Sequence, residues 1–449
     1  MAAAAAGREK ASRDTASLHG SCDPALPQSR HDTIENGNTN AQGPIRGLLS
    51  RIKKSGESGR SGIHPIKFLQ IIWNSSSNLS RVVNILWPFV PAALAVYYTG
   101  VGSASLRFSL TYIAMIPCAN LIGFAGQQLA RKMPHMLGVL TETTIGSLVE
   151  IVLFLVLLLS PTENKFYIIR SAILGSILAT MLLCLGLCFF AAGLRRTTAT
   201  FDGALSEVGT GLLLMAGLGL AIPTIFQHGM STPIENIEHK TTQLSRIVAV
   251  LLLISYVVFV WFQMRTHHGI YNAIFERDEE RDTDGHEELL KPKLTLFECI
   301  ISLGVSVALV ALMALSLVHE IEPLVQETGI SDPFVGLILV PLVEKAAEHL
   351  TAIDEAWDNQ INFALSHCIG ATIQTAMLNA PLVVIVAWGR GLELDLSFEV
   401  FEISILILAI ITVGNYLRDQ KSDYLEGFLC VITYIAIAVA AFFSPTPAE

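Results

Sequence analysis

Runs of mostly apolar residues, each close to the ~20 that let a helix cross a bilayer, recur along most of the chain between short polar breaks. Eleven such segments are expected, near 82–98, 104–126, 136–160, 167–193, 206–224, 244–264, 294–318, 332–352, 361–388, 398–416 and 424–443. Two of them strain the pattern. The first is the shortest and holds Pro88 and Pro91, and 332–352 is the most polar. The fold class that follows is an all-α polytopic membrane protein of about eleven transmembrane helices, six before a charged loop at 265–293 and five after it.

Composition sharpens this picture. Of 449 residues, 52% are hydrophobic and 15% charged, against about 25% charge in an average soluble domain. The formal charge of −10 gives no reason to expect a nucleic-acid partner, and much of it sits in "ERDEERDTDGHEE", Glu276 to Glu288. Such a block reads as a solvated linker, or as a surface that raises the local cation concentration. Lys and Arg collect in the tail and in alternate loops (Arg131 and Lys132, Arg195 and Arg196, Arg265, Lys291 and Lys293, Arg418 and Lys421), whereas 319–331 has none. Positive residues stay cytosolic, so the N-terminus is expected in the cytosol and the C-terminus in the lumen. The expected organisation is a disordered tail at 1–65, a first membrane half at 82–264, the loop at 265–293 and a second half at 294–443. Seven scattered cysteines offer no disulfide framework or paired zinc spacing, and read as small hydrophobes.

The candidate chemistry lies where charge interrupts the apolar runs. "TETTIGSLVEIVLF" places Glu150 inside one span, and "LVPLVEKAAEHLTA" places Glu344, Lys345, Glu348 and His349 inside another. Small-residue turns open the next span in each half, "LGSILATMLLCLG" from Leu174 and "IGATIQTAMLNAP" from Ile369. Equivalent segments five spans apart face opposite ways, which makes the repeat an inverted one, the construction of many secondary transporters with a midplane site. A charge at the bilayer centre costs ~2.5–3.5 kcal/mol on the most lenient scale, so these groups must pair or face water. Lys345 can reach Glu348 at i,i+3. Two pairings are open: Lys345 and its neighbour Glu344 offset each other and leave Glu348 free, which is the expectation, or Lys345 neutralises Glu348 and fills the site. Glu150 has no cation near it in sequence.

At these residues the chain resembles the cation/proton exchanger (CAX) family, vacuolar calcium/proton exchangers above all, within the calcium/cation antiporter superfamily. "FVPAALA" at 89–95, "LIGFAGQQLA" at 121–130, "LVEIV" at 148–152, "LGSIL" at 174–178, "AAEH" at 346–349 and "PLVVIVAW" at 381–388 carry the likeness. The resemblance implies two inverted five-helix repeats plus an extra N-terminal helix, and exchange of lumenal protons for cytosolic calcium at two glutamates, here Glu150 and Glu348. It also implies a lining of Gly146, Ser147, Gly175, Ser176, Thr180, Glu344, Lys345, His349, Gly370 and Gln374. Several of these depart from the family pattern. The family's GNAxE is "GSLVE" here, with Ser147 for asparagine. Its GNAAEH has Glu344 and Lys345 for glycine and asparagine. Its GSxxSN is "GSILAT", with Thr180 for the asparagine, and its GSxTQ is "GATIQ", which keeps Gln374. Glu142 stands where the family has a neutral amide.

Calcium takes 6–8 oxygen ligands, and a lysine offers donors but no acceptor. The expected function is a secondary antiporter of a divalent cation, calcium first, against protons in the vacuolar or a related endomembrane. Its partners are the cargo ions and the bilayer, and no cofactor is expected. The alternatives are a pseudo-exchanger with a regulatory role and an exchanger of another cation. Neither "HEIEP" at His319 nor "EKAAEHL" has the H-E-x-x-H order of a zinc hydrolase, and no G-x-S-x-G elbow occurs.

Overall fold

The apolar runs fold as helices with their polar breaks at the ends. The computed structural model describes residues 62–444 except 76, 134, 162–164, 230–235 and 284–290. Among these, ten helices are long and apolar enough to cross a membrane: Leu79–Thr99, Ala104–Ala130, Leu140–Leu159, Lys165–Arg195, Gly203–His228, Ile237–Thr266, Leu296–Thr328, Ile361–Gly389, Val400–Asp419 and Tyr424–Phe443. They match ten of the eleven expected spans. The expected span at 332–352 does not meet that test, because its charged centre lowers its hydropathy and its helix is interrupted. It is built instead from Asp332–Phe334, a π segment Val335–Leu339, Val340–Glu344 and Ala346–Trp357. This broken helix runs beside Lys165–Arg195 from end to end: Gly336 packs on Ser171 near one end, and at the other the Trp357 carbonyl accepts from Arg195 Nη1 at 3.0 Å.

Side-chain caps define several helix starts. Ser103 accepts from Leu106 N at 3.2 Å, and Asp423 accepts from Leu425 N at 2.8 Å. Thr295 and Glu298 form a reciprocal capping box, with bonds of 3.2 and 2.9 Å. Each satisfies N–H groups that a helix leaves unpaired. The box also holds the start of the described chain, since Thr295 Oγ1 donates to the Gly62 carbonyl at 2.9 Å and His64 N to Glu298 Oε1 at 3.1 Å. Residues 62–65, expected within the tail, are therefore tied down; 1–61 lie outside the described residues. A helix unforeseen in the sequence follows, Pro65–Asn74, with Ile66, Leu69 and Trp73 exposed.

Burial separates centre from periphery. The most apolar windows of Lys165–Arg195 and Ile361–Gly389 are 83% and 72% buried, whereas that of Ile237–Thr266 is 22% buried. The outer helix turns Ile254, Val257 and Trp261 outward, a surface suited to lipid. Two-residue strands, Ala199–Thr200 and Lys421–Ser422, pair antiparallel outside the helices.

The acidic loop differs from a solvated linker. Its first part is the helix His268–Arg281, and Asp278 on it is fully buried. Asp278 accepts from Asn362 N at 2.7 Å, Phe363 N at 3.2 Å and Asn362 Nδ2 at 2.8 Å. Those backbone groups open the helix Ile361–Gln374, whose own N-cap residue Gln360 makes no side-chain cap. Asp278 thus caps a central helix from a distance. Burial pushes its carboxyl above the ordinary range, against the pull of these hydrogen bonds. Residues 284–290 of the block lie outside the described residues.

Candidate ion-binding site

Two helix breaks build the site. The helix containing Glu150 is interrupted at Ser147 (φ −74°, ψ −2°), after which Leu148–Leu159 starts afresh with Glu150 as its third residue. Lys345 (φ −94°, ψ −1°) interrupts the other in the same way, and Glu348 is the third residue of Ala346–Trp357. Both carboxylates therefore stand in the first turn of a half-helix, where the helix dipole favours negative charge. The neighbouring helices repeat the likeness. Lys165–Leu178 passes into a π segment at Ala179–Cys184, and Ile361–Gln374 into one at Thr375–Asn379. Such wide turns are frequent at functional sites.

The two glutamates meet through one ammonium. Lys345 Nζ stands 2.8 Å from Glu150 Oε2 and 3.1 Å from Glu348 Oε2, with the lysine side chain 1% exposed. Thr375 Oγ1 and Asn379 Nδ2 also donate to Glu150 Oε2, at 2.9 and 2.8 Å, and Gln374 Nε2 donates to Ser147 Oγ at 3.0 Å. Each of these bonds joins the first half of the chain to the second. The pairing differs from the expected Glu344–Lys345 offset. The lysine extends across the break to the first-turn glutamates, while no ion pair within 4 Å reaches Glu344 among the described residues. The Ser176 hydroxyl lies close enough to Glu344 to interact, but neither carboxylate oxygen is aligned with a donor.

Access is one-sided. A cavity is lined by Glu142, Gly146, Thr180, Glu348, His349 and His367, among others. Of the two glutamates that share Lys345, Glu348 borders it, with 16% side-chain exposure against 1% for Glu150. Gly146 makes room for it, since a Cβ there would lie 2.6 Å from Glu348 Oε1. On the cavity wall His367 Nδ1 shares a 2.7 Å hydrogen bond with Glu355 Oε2, and its Nε2 lies 3.9 Å from Glu142 Oε1. The opposite end is tightly packed. A Cβ at Gly175 would collide with the Leu337 carbonyl and stand 2.6 Å from Pro341 Cγ, whereas one at Gly370 would meet nothing within 4 Å.

The structure thus brings Gly146, Ser147, Glu150, Lys345, Glu348 and Gln374 together, sets Thr180 and His349 on the cavity wall, and places Ser176 beside Glu344. Gly175 is a packing contact and Gly370 borders smaller clefts. Sequence reasoning missed Thr375 and Asn379, and the Glu355–His367 pair. All are polar residues in or next to apolar runs, the same signal that exposed Glu150.

Oppositely directed broken helices that place carboxylates together deep in a bundle are the architecture of inverted-repeat membrane transporters. The chain belongs to the sodium/calcium exchanger protein family, whose profile matches residues 103–265 and 299–443. It is 31% identical over 382 residues to vacuolar cation/proton exchanger 2 of Arabidopsis thaliana, covering 83% of this chain and 85% of that one. It is 32% identical over 391 residues to the vacuolar calcium ion transporter of Schizosaccharomyces pombe (strain 972 / ATCC 24843), covering 87% and 92%. The solved structure of the Ca²⁺/H⁺ antiporter protein YfkE superposes with a TM-score of 0.66 at 24% identity, over 81% of this chain and 100% of that one, which shows the shared fold.

Proposed function

We propose that this protein is a secondary antiporter that exchanges a divalent cation, calcium first, for protons across the vacuolar or a related endomembrane, with the N-terminus cytosolic, the C-terminus lumenal and Asp332–Trp357 as the eleventh span. One observation carries the reading: Glu150 and Glu348, from opposite halves of the chain, converge on a single buried ammonium, and Glu348 borders a cavity. The names of the vacuolar relatives support the cargo and the membrane.

Charge balance supports a coupled exchange. Glu150, Glu344 and Glu348 are three buried or half-buried carboxylates, and Lys345 is the one ammonium among them. When all are ionised two negative charges remain, which one divalent cation or two protons would neutralise. Metal binding requires deprotonated ligands, so the two cargoes compete for the same oxygens. Glu348, on the cavity, receives the cation first. Arrival draws the ammonium away from the carboxylates, and Lys345 returns as a tethered counter-ion when the cation leaves. Ser147, Thr180 and Gln374 supply neutral oxygens in place of the family's missing asparagines. Glu150 and Glu348 hold the metal, and the other lining residues shape its surroundings.

The test is radiocalcium uptake by proteoliposomes bearing the purified protein, driven by a pH gradient. Uptake that vanishes when the gradient is collapsed, and in Glu150→Gln and Glu348→Gln, supports the reading; uptake unchanged in both variants overturns it. The double contact of Lys345 favours a second reading, a pseudo-exchanger whose site the lysine fills permanently. Absence of uptake by the wild type together with strong uptake by Glu344→Gly/Lys345→Asn would establish that second reading.

A further inference from the structure

Three cysteines separated widely in sequence converge beside the cavity. Cys184 ends the π segment Ala179–Cys184, Cys188 lies one turn on in Leu185–Arg195, and Cys368 comes from the facing helix Ile361–Gln374. All three are buried and unoxidised. Cys368 Sγ lies 3.5 Å from Cys184 Sγ and 3.9 Å from Cys188 Sγ, and the three sulfurs all fall within 4.8 Å of one another. Sulfur ligands about 2.3 Å from a tetrahedral zinc stand about 3.8 Å apart. The two spacings from Cys368 bracket that value and the third is at most 4.8 Å, so the three sulfurs stand close to the geometry of a shared ion. Cys184 and Cys368 also line the cavity, together with Glu142, Glu348 and His367.

We propose that Cys184, Cys188 and Cys368 form a binding site for one thiophilic divalent cation of the zinc or cadmium class, separate from the Glu150–Lys345–Glu348 cluster. Soft thiolate ligands select such ions, whereas calcium takes hard oxygen. Binding replaces three thiol protons by one divalent cation. The protons leave into the cavity, and the filled site carries one net negative charge, so affinity rises with pH. Two of the three ligands, Cys184 and Cys368, border the cavity. The ion would pin the π segment of one central helix to the facing helix. This site stands whether or not calcium is the transported cargo.

Cadmium is the probe, titrated into the reduced, full-length protein in detergent micelles. The expected result is one Cd²⁺ per chain, a thiolate-to-cadmium ultraviolet charge-transfer band and a three-sulfur shell by X-ray absorption, all retained in excess calcium. Cys184→Ser, Cys188→Ser and Cys368→Ser should each lose the three-sulfur shell and weaken the band. Cys299→Ser, which packs against Ile71 and Leu294 in a separate cluster, should keep both. A wild type without the band, a shell of fewer than three sulfurs, or a shell that survives all three single substitutions would overturn the site. Where a variant loses monodispersity on gel filtration, the sulfur count of the wild type decides.

Discussion

The two halves of the chain repeat one plan with unequal parts. Each breaks a helix at a single residue, Ser147 or Lys345, sets a glutamate third after the break, and widens the next helix into a π segment. At the break the first half carries Ser147, a neutral oxygen, and the second carries Lys345, an ammonium paired with both glutamates. The first half packs its small-residue helix tightly at Gly175, and the second leaves Gly370 open. Shared backbone geometry accordingly fixes where the charges stand, and the side chains at the breaks decide how they are balanced. The cavity reaches Glu348 of the second half, while the first half is closely packed at Gly175.

The hardest test of this comparison is the equivalence of the glutamates. Glu150→Gln and Glu348→Gln should each reduce gradient-driven calcium uptake to the level of empty vesicles, and full activity in one of them would show that the halves do not contribute alike. Next in size is the lysine. Lys345→Met leaves two carboxylates facing each other without their shared ammonium, and breaking a buried ion pair costs about 3–5 kcal/mol. Unfolding followed in detergent should show that loss, with calcium raising the melting temperature of the variant more than that of the wild type.

The glycines give a smaller contrast. Gly175→Ala forces a methyl group against the Leu337 carbonyl and should destabilise by about 1–3 kcal/mol, the usual penalty for overpacking. Gly370→Ala has room and gains up to ~1 kcal/mol of helix preference, so equal losses in the two variants would break the asymmetry. The smallest effect expected is at the connection between the halves. Asp278→Ala removes the cap on Ile361–Gln374, worth about 1 kcal/mol. Because burial raises the Asp278 carboxyl, its contribution is complete below about 3.9, the free-carboxyl value, and declines as pH rises through the raised folded value. Asp278→Asn should flatten that part of the pH–stability profile.

Much of this was legible in the sequence, for reasons that also mark the limit. Glu150 and Glu348 stand out because a charge in an apolar run is costly and therefore conspicuous. Ten spans follow from length and hydropathy alone, and 332–352 departs from the rest through the same charges that make it informative. The partner of Lys345 was not legible, since local spacing allows Glu344 and Glu348 equally and says nothing of Glu150, which is almost 200 residues away. Cys184 and Cys188 share a helix face by their spacing, but nothing local points to Cys368. Asp278 looks like its solvated neighbours in "ERDEERD", and only the fold reveals the helix start it serves.

Gly370 has no neighbour to accommodate in the arrangement described, and that vacancy has a kinetic meaning. On the proposed exchange by two inverted halves, a contact like the one made at Gly175 would form at Gly370 when the two ends swap roles. An alanine there would therefore not lower the melting temperature but would slow the turnover of cargo, its penalty falling on a conformation visited only in passing.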